Sequence, residues 1–243
     1  MSIIDVTTPV RVKKIIYPES DGKPMADNSK QFRWITTIEG NLEILFAHNP
    51  DVFIAGDMLW YPVARNNKIS QAPDVMVVFG RPKGDRGSYI QTQEEDIAPQ
   101  VVFEILSPSN TKEEMENKFN FYESYGVEEY YVYDPQRGRL QGWQRQGREL
   151  AKIERIAGWI SPRLGIQFEL EGLELGLYYP DGRRFLTYVE LGQRVEAETE
   201  ARIKAETRAE KAEIRAEAES EARAKAETRA KEFEAKLKQA GLL

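Results

Sequence analysis

The sequence predicts an α/β or α+β domain built on one mixed β-sheet, followed by a long charged helix. Helix-like and strand-like segments alternate in the order helix, strands, helix, strands over the first 186 residues. From about Glu190 the composition changes abruptly to little besides Ala, Glu, Lys and Arg. We therefore divide the chain into an N-terminal extension (1–27), a core domain (28–186) and a charged helix (187–243).

The two predicted core helices have different signals. The first lies in QFRWITTIEGNLEILFAHN, where apolar residues recur at helical spacing. The second lies in SPSNTKEEMENKFNFYESYG, where Thr111 with Glu114, or Asn110 with Glu113, forms a capping box and Gly126 ends the helix. Strands are predicted between and after them, with extra β-hairpins at Gly and Pro turns: DVFIAG, DMLWYPV, PDVMVVFG, QVVFEIL, EEYYVYDP, RLQGWQRQ, ELAKIER, IQFEL, LELGLYY and RRFLTYV.

Composition excludes several classes of active site. The chain has no cysteine and one histidine, His48, which excludes thiol nucleophiles, Cys-ligated metals and His-rich zinc centres. No G-x-S-x-G, Walker A or G-x-G-x-x-G motif is present. The composition does not exclude a site in which carboxylates bind a hard metal ion and a lysine assists. No apolar run approaches the ~18 residues of a membrane helix, and we expect a soluble, cytoplasmic protein.

Three charged residues do not fit their surroundings. Asp74 begins the strand of PDVMVVFG, Glu104 lies inside the apolar strand VVFEIL, and Lys118 lies on the edge of the inner stripe of the second helix. Each of these residues, taken alone, also has an explanation that involves no function. Asp74 could be a turn residue, Glu104 a buried acid paired with arginine or capped by amides, and Lys118 a lysine with a packed stem.

Taken together, the three residues indicate a metal site. Two carboxylates at short range raise each other's pKa unless a cation lies between them. A Mg²⁺ ion bound by Asp74 and Glu104 would supply that cation, and Lys118 would hold a water or a phosphate oxygen beside it. This arrangement suits hydrolysis of phosphodiester bonds.

The stretch from PDVMVVF to VVFEILSPSNTKEEMENKFNFYESYGVEEYYVYDP resembles the Uma2 (DUF820) family of the PD-(D/E)XK restriction-endonuclease-like superfamily. The resemblance implies a central mixed sheet flanked by helices, with a metal site of Asp74, Glu104 and the backbone carbonyl of Ile105. The usual lysine position is Leu106, and Lys118 is the substitute that the resemblance implies. Further candidates are Glu39, on the first helix, and Ser107, in the E-x-x-S-P-S run.

The leading interpretation is an endonuclease that uses Mg²⁺, or Mn²⁺ as a substitute, to cleave DNA; RNA and branched DNA are alternatives within the same chemistry. The net charge of −6 disfavours tight non-specific binding of DNA. Candidate phosphate contacts are Arg81, Lys83, Arg86 and Lys112, and a solvated loop is the alternative for them. A competing interpretation is an inactive nuclease-fold scaffold that acts through its C-terminal helix.

The charged C-terminal helix has two interpretations. It repeats the pentapeptide AETRA at Ala205–Ala209 and at Ala226–Ala230, three heptads apart. One interpretation is a solvated single helix stabilised by ion pairs between residues four apart. The other is a coiled coil that joins two copies of the chain, because cutting both strands of a duplex takes two active sites. On this basis we expect a homodimer, joined through the core domain, the C-terminal helix or both; the helix could equally recruit a different protein.

Overall fold

The computed structural model describes residues 15–22 and 24–239, without the side chains of Glu171 and Leu237. The described residues form three α-helices and one 3-10 helix: α1 (Ser29–Leu45), the 3-10 helix (Gln91–Gln93), α2 (Lys112–Ser124) and α3 (Tyr188–Gln239). They also form eleven strands: β1 (Val52–Gly56), β2 (Trp60–Tyr61), β3 (Val75–Phe79), β4 (Tyr89–Ile90), β5 (Val101–Ile105), β6 (Glu129–Asp134), β7 (Arg139–Gln146), β8 (Glu149–Lys152), β9 (Trp159–Ile160), β10 (Gln167–Glu171) and β11 (Glu174–Tyr178).

A six-stranded mixed sheet forms the centre of the core domain. Its strand order is β1-β3-β5-β6-β7-β8. The pair β5-β6 is parallel, and the other four pairs of neighbouring strands in this sheet are antiparallel. A three-stranded sheet, β11-β10-β9, and the short parallel pair β2-β4 lie outside it. The predicted fold class is confirmed: a mixed sheet with flanking helices, extra hairpins such as β10-β11, and a long C-terminal helix.

Each face of the central sheet has its own apolar core. On one face, α1 packs Ile35, Ile38 and Leu42 against alternate residues of β3 and β5, and the β10-β11 hairpin joins this cluster. On the other face, α2 packs Tyr122 against a cluster that includes Val102 and Tyr130. Strand alternation places Glu104 on the same side of β5 as Val102. The predicted buried acid therefore faces α2.

The ends of α1 and α2 are fixed by side chains next to them. Asn28 caps α1 by accepting hydrogen bonds from the backbone N–H groups of Lys30 and Gln31, both at 3.0 Å. Thr111 caps α2 by accepting one from the N–H of Glu114 at 3.1 Å, which is the first of the two predicted caps. Gly126, with φ +94°, follows the end of α2. These caps fix where α2 starts and stops above β5.

Two predicted strands differ from the structure. DMLWYPV forms a strand only at Trp60–Tyr61, directly before Pro62, which has no N–H to donate. RRFLTYV is not a strand beyond one bridge between Arg184 and Tyr178. The reason is tertiary: the Asn41 side chain binds both the N–H (3.1 Å) and the C=O (2.8 Å) of Leu186. These backbone groups are therefore satisfied without a partner strand.

The chain forms two compact units, Met1–Thr187 and Tyr188–Leu243. Of the predicted extension, residues 1–14 and 23 lie outside the described residues, as do residues 240–243 of the charged helix. Within the described part of the chain, no helix combines the length and the apolar character that a bilayer span requires.

Replacing Gly138 by alanine is expected to lower the free energy of unfolding by about 1–3 kcal/mol. Gly138 has φ +59°, and an added Cβ would lie 2.5 Å from the backbone oxygen of Leu173. Gly147→Ala is the matched control, because Gly147 has φ +65° and, among the described residues other than its chain neighbours, no atom lies within 4 Å of the added Cβ. Urea unfolding should show a larger loss at Gly138; equal losses would mean that the contact with Leu173 contributes nothing.

Candidate active site

The site lies where the ends of three neighbouring strands meet. β3 and β5 pair with Val75 opposite Phe103, so one step further along the same register Asp74 lies opposite Glu104. Asp57 directly follows β1, and its backbone N–H donates to the carbonyls of Pro73 (3.1 Å) and Asp74 (3.3 Å). Three acidic residues from three strand ends are thereby brought to one edge of the sheet, beside α2.

Both carboxylate oxygens of Glu104 have partners from α2. Lys118 Nζ donates to Glu104 Oε2 at 2.7 Å, and the Tyr122 hydroxyl donates to Glu104 Oε1 at 2.5 Å. Glu104 is 2% exposed, so it could not remain charged without such partners. The structure thus brings the predicted Lys118 to the predicted Glu104, and the charge partner of the buried acid is this lysine.

Lys118 is held in its charged form by the acids around it. Burial alone lowers the pKa of a lysine, but the carboxylates of Glu104, Asp74 and Glu114 outweigh burial and raise the pKa of Lys118 above its ordinary value. Its side chain is 13% exposed and borders a cleft on the surface. A protonated lysine at this position donates hydrogen bonds both to Glu104 and to groups that enter the cleft.

Asp74 is the least compensated acid of the site. It is 7% exposed, and its Oδ2 accepts a hydrogen bond from the backbone N–H of Ile105 at 2.6 Å. Burial, followed by repulsion from Glu104, raises the pKa of Asp74 well above its ordinary value, against the opposing effects of Lys118 and of the Ile105 N–H. One lysine does not neutralise two buried carboxylates.

Asp57 is a candidate site residue that the sequence interpretation missed. It lines the cleft together with Asp74, and burial, followed by repulsion from Asp21, raises its pKa. Its backbone has φ +48°, a left-handed conformation that aspartate tolerates better than most residues. The signal was present in AGDM, an acid directly after a strand, but it becomes informative only when β1 is known to pair with β3.

The backbone carbonyl of Ile105 lies beside these acids and accepts a hydrogen bond from Gln31 Nε2 at 2.8 Å. Gln31 is buried in the first turn of α1 and lines the cleft. The predicted first-helix residue, Glu39, does not line this cleft. Burial, followed by repulsion from Glu43, raises its pKa, and Lys83 opposes this. In the structure, α1 therefore reaches the site through Gln31.

Ser107 is buried and takes part in a local hydrogen-bond network. Its hydroxyl donates to Asp27 Oδ2 and shares a hydrogen bond of 2.8 Å with the Ser109 hydroxyl, and its N–H donates to Asn110 Oδ1 at 2.8 Å. The Ser109 hydroxyl also donates to Asp27. Ser107 thus ties the loop after β5 to the segment that precedes α1, and these contacts account for its burial.

The cleft has a volume of about 630 Å³ and is predominantly acidic. Lys118 is the one basic residue on its wall among the described residues. The acidic residues that line the cleft are Asp21, Asp27, Asp57, Asp74, Glu113 and Glu114.

The basic residues predicted to contact phosphate are paired elsewhere. Arg81 and Arg86 both bind Glu94, Lys83 binds Glu43 and Lys112 binds Glu116. Arg81 also binds Glu95, so each of these basic side chains is already paired with a carboxylate. A polyanionic substrate that enters the cleft therefore meets a negative field.

The donor set fits a hard divalent cation. Asp74 and Glu104 supply carboxylate oxygens, and Ile105 supplies a carbonyl oxygen with a second lone pair beyond the one that Gln31 uses. Oxygen ligands of this kind suit Mg²⁺, and burial, with added repulsion from Glu104, makes the ionised form of Asp74 costly unless a cation binds there. Within residues 15–22 and 24–239, no group of three or more Asp, Glu, His or Cys residues forms a metal cage.

Comparison with known proteins gives one family. Residues 19–177 match the model of the Uma2 family, described as "putative restriction endonuclease". Among solved structures, the chain is similar to a "putative nuclease belonging to DUF820" from Anabaena variabilis. The two share 15% identity and a TM-score of 0.43, over 58% of this chain and 74% of that one. No curated protein matches the sequence.

Proposed function

The chain belongs to the Uma2 family, and from this membership and the geometry of the acidic cleft we propose that it is a Mg²⁺-dependent endonuclease that hydrolyses DNA. One observation carries the proposal: Lys118, on a helix, reaches Glu104, on a strand, directly beside Asp74. This arrangement supports a working site although Leu106 occupies the usual lysine position. Mn²⁺ is the expected substitute for Mg²⁺, because both accept hard oxygen ligands.

The residues of the site divide the work of in-line hydrolysis. Asp74, Glu104 and the carbonyl of Ile105 would hold the metal ion. When bound, Mg²⁺ supplies Lewis acidity, lowers the pKa of a water and neutralises charge that develops on the phosphoryl oxygens. Water attacks phosphorus, the P–O bond to the leaving oxygen breaks, and the water proton passes to solvent while the leaving oxygen takes up a proton.

The charge of Lys118 decides whether it orients the attacking water or deprotonates it. Its raised pKa keeps it protonated at neutral pH, and a protonated amine cannot accept a proton from water. We therefore assign Lys118 the orientation of the attacking water and the stabilisation of negative charge on the phosphoryl group. Its position at the cleft wall, within reach of Glu104, supports this assignment.

Incubation of supercoiled plasmid with the purified protein tests the proposal. We expect nicked and then linear product in the presence of Mg²⁺ or Mn²⁺, and none with EDTA. A single-stranded RNA of matched length in parallel tests the choice of DNA. Metal-independent cleavage, or preferential cleavage of the RNA, would contradict the proposal as stated.

The scaffold alternative is supported by Leu106 and by the acidity of the cleft. It requires that divalent cations do not stabilise the fold, because a decayed site has no reason to bind them. A ligand that binds only the folded state raises stability by mass action, by about 2.7 kcal/mol at a concentration 100 times its Kd. Unfolding midpoints with and without Mg²⁺ therefore separate the two functions.

We further propose that two copies associate through α3. Val195, Ile203 and Ile214 are each more than half exposed, and at about 100° per residue they fall within an arc of ~100° on a straight helix. Light scattering should give twice the chain mass of 27.9 kDa. The double variant Ile203→Glu, Ile214→Glu should give a monomer, whereas Ala201→Glu, Ala212→Glu, on the opposite face of the same helix, should remain a dimer. A wild-type monomer would contradict the pairing.

A further inference from the structure

We infer that Tyr122 is a positioning residue that holds one oxygen of Glu104 and leaves the other oxygen for the metal ion; this inference rests on the proposed metal-dependent activity. Tyr122 Oη donates to Glu104 Oε1 at 2.5 Å, while Lys118 Nζ donates to Glu104 Oε2 at 2.7 Å. Lys118 and Tyr122 are four residues apart on α2 and therefore lie on the same face of the helix. The two oxygens of one carboxylate thus have separate partners from one helix.

The two partners differ in their freedom to move. Tyr122 is fully buried, with its ring parallel to that of Trp60 (6.4 Å between centroids, 2° between planes) and 5.1 Å from the ring of Tyr130. Lys118 borders the cleft and has a flexible four-carbon stem. An arriving cation can therefore displace Lys118 from Oε2, whereas the rings packed around Tyr122 hold its hydroxyl at Oε1.

The two partners also differ in charge. A lysine ammonium and a divalent cation at the same carboxylate oxygen repel each other, whereas a neutral hydroxyl on the opposite oxygen does not. The hydroxyl fixes the carboxylate rotamer and partly neutralises its charge through a hydrogen bond to an ionised acceptor. Hydrogen bonds from neighbouring side chains to a metal ligand orient that ligand. Their loss typically lowers metal affinity by about 10–100-fold.

Tyr122→Phe tests this role, with Tyr130→Phe as the matched control. Tyr130 is 1% exposed, belongs to the same apolar cluster, and its hydroxyl has no hydrogen-bond partner among the described residues. Both variants remove one buried hydroxyl and keep the ring. Metal affinity is measured by titrating Mg²⁺ against the unfolding midpoint of the full chain, and activity by plasmid nicking over the same range of Mg²⁺.

We expect Tyr122→Phe to bind Mg²⁺ about 10–100-fold more weakly and to recover its nicking rate as Mg²⁺ is raised. Tyr130→Phe should match the wild type in both measurements. Equal Mg²⁺ affinity in wild type and Tyr122→Phe would overturn the inference while leaving the proposed function intact. Equal weakening by both variants would also overturn it, because the effect would then come from packing. A wild type without Mg²⁺ stabilisation would instead overturn the proposed function, and the inference with it.

Discussion

Replacing Glu104 by glutamine is expected to lower Mg²⁺-dependent nicking of plasmid DNA by about 10³-fold or more. A metal ion stabilises the transition state by several kcal/mol, and each 1.36 kcal/mol corresponds to about a factor of ten in rate. The amide keeps the shape of Glu104 but removes the charge that would hold the ion. The matched control is Glu113→Gln, which removes one negative charge from the same cleft wall without touching Glu104.

The variant Lys118→Met tests the role of the lysine on α2. We expect nicking to fall by about 10²–10³-fold, as for the loss of one preorganised donor to developing charge. Stability should also fall, by about 3–5 kcal/mol, because the change leaves the buried Glu104 carboxylate without its cation.

The double variant Glu104→Gln, Lys118→Met separates these two effects. It should recover most of the stability that Lys118→Met loses, because no buried charge is left unpaired, and it should remain inactive. Plasmid nicking is measured at a temperature at which urea unfolding shows every variant folded. Activity in Lys118→Met equal to that of wild type would exclude this lysine from catalysis.

Asp74→Asn is expected to stabilise the metal-free protein by about 0.5–2 kcal/mol, the usual gain when a strained functional residue is relieved. The same change should abolish stabilisation by Mg²⁺. The amide oxygen can still accept the hydrogen bond from the Ile105 N–H, while the repulsion between Asp74 and Glu104 disappears. Urea unfolding with EDTA and with Mg²⁺ measures both effects, and a variant that is less stable without metal would contradict the first.

The pH dependence of this variant follows from the raised pKa of Asp74. Between the unfolded pKa and the higher folded pKa, the folded state binds more protons than the unfolded state, so the stability of the wild type falls as pH rises through this window. Asp74→Asn lacks that fall, and the gap between the two proteins should widen with pH. Protons compete with the metal for the same carboxylate, so Mg²⁺ stabilisation of the wild type should increase over the same window.

The parts of the fold that depend on local pattern could be predicted from the sequence. Apolar runs located β1, β3, β5 and β6, and the capping residues located α2 to within a residue at each end. RRFLTYV was predicted wrongly because its β-like composition is overridden by Asn41, which lies 145 positions away from Leu186 in the chain. No sequence pattern within the segment itself predicts that contact.

The residues of the candidate site also fall into those that local sequence patterns indicate and those that they do not. The proximity of Asp74, Glu104 and Lys118 could be predicted because each is a charge at an apolar or strand-initiating position, which is an anomaly visible in the sequence itself. Tyr122 and Gln31 could not, because a tyrosine on the inner stripe of a helix and a glutamine in a first turn fit their local patterns. Their contacts with Glu104 and Ile105 exist only after the helices pack on the sheet.

The position of Lys118 on α2 makes the proposed catalysis dependent on tertiary packing. A lysine two residues after the acid on the same strand is held near it by the covalent backbone, whereas Lys118 meets Glu104 only while α2 stays docked on β5 through the aromatic contacts of Tyr122 with Trp60 and Tyr130. We expect heating or denaturant that loosens this helix to separate Lys118 from Glu104 before the sheet unfolds. Cleavage then serves as a reporter of helix docking, and its loss should precede the loss of β-sheet signal.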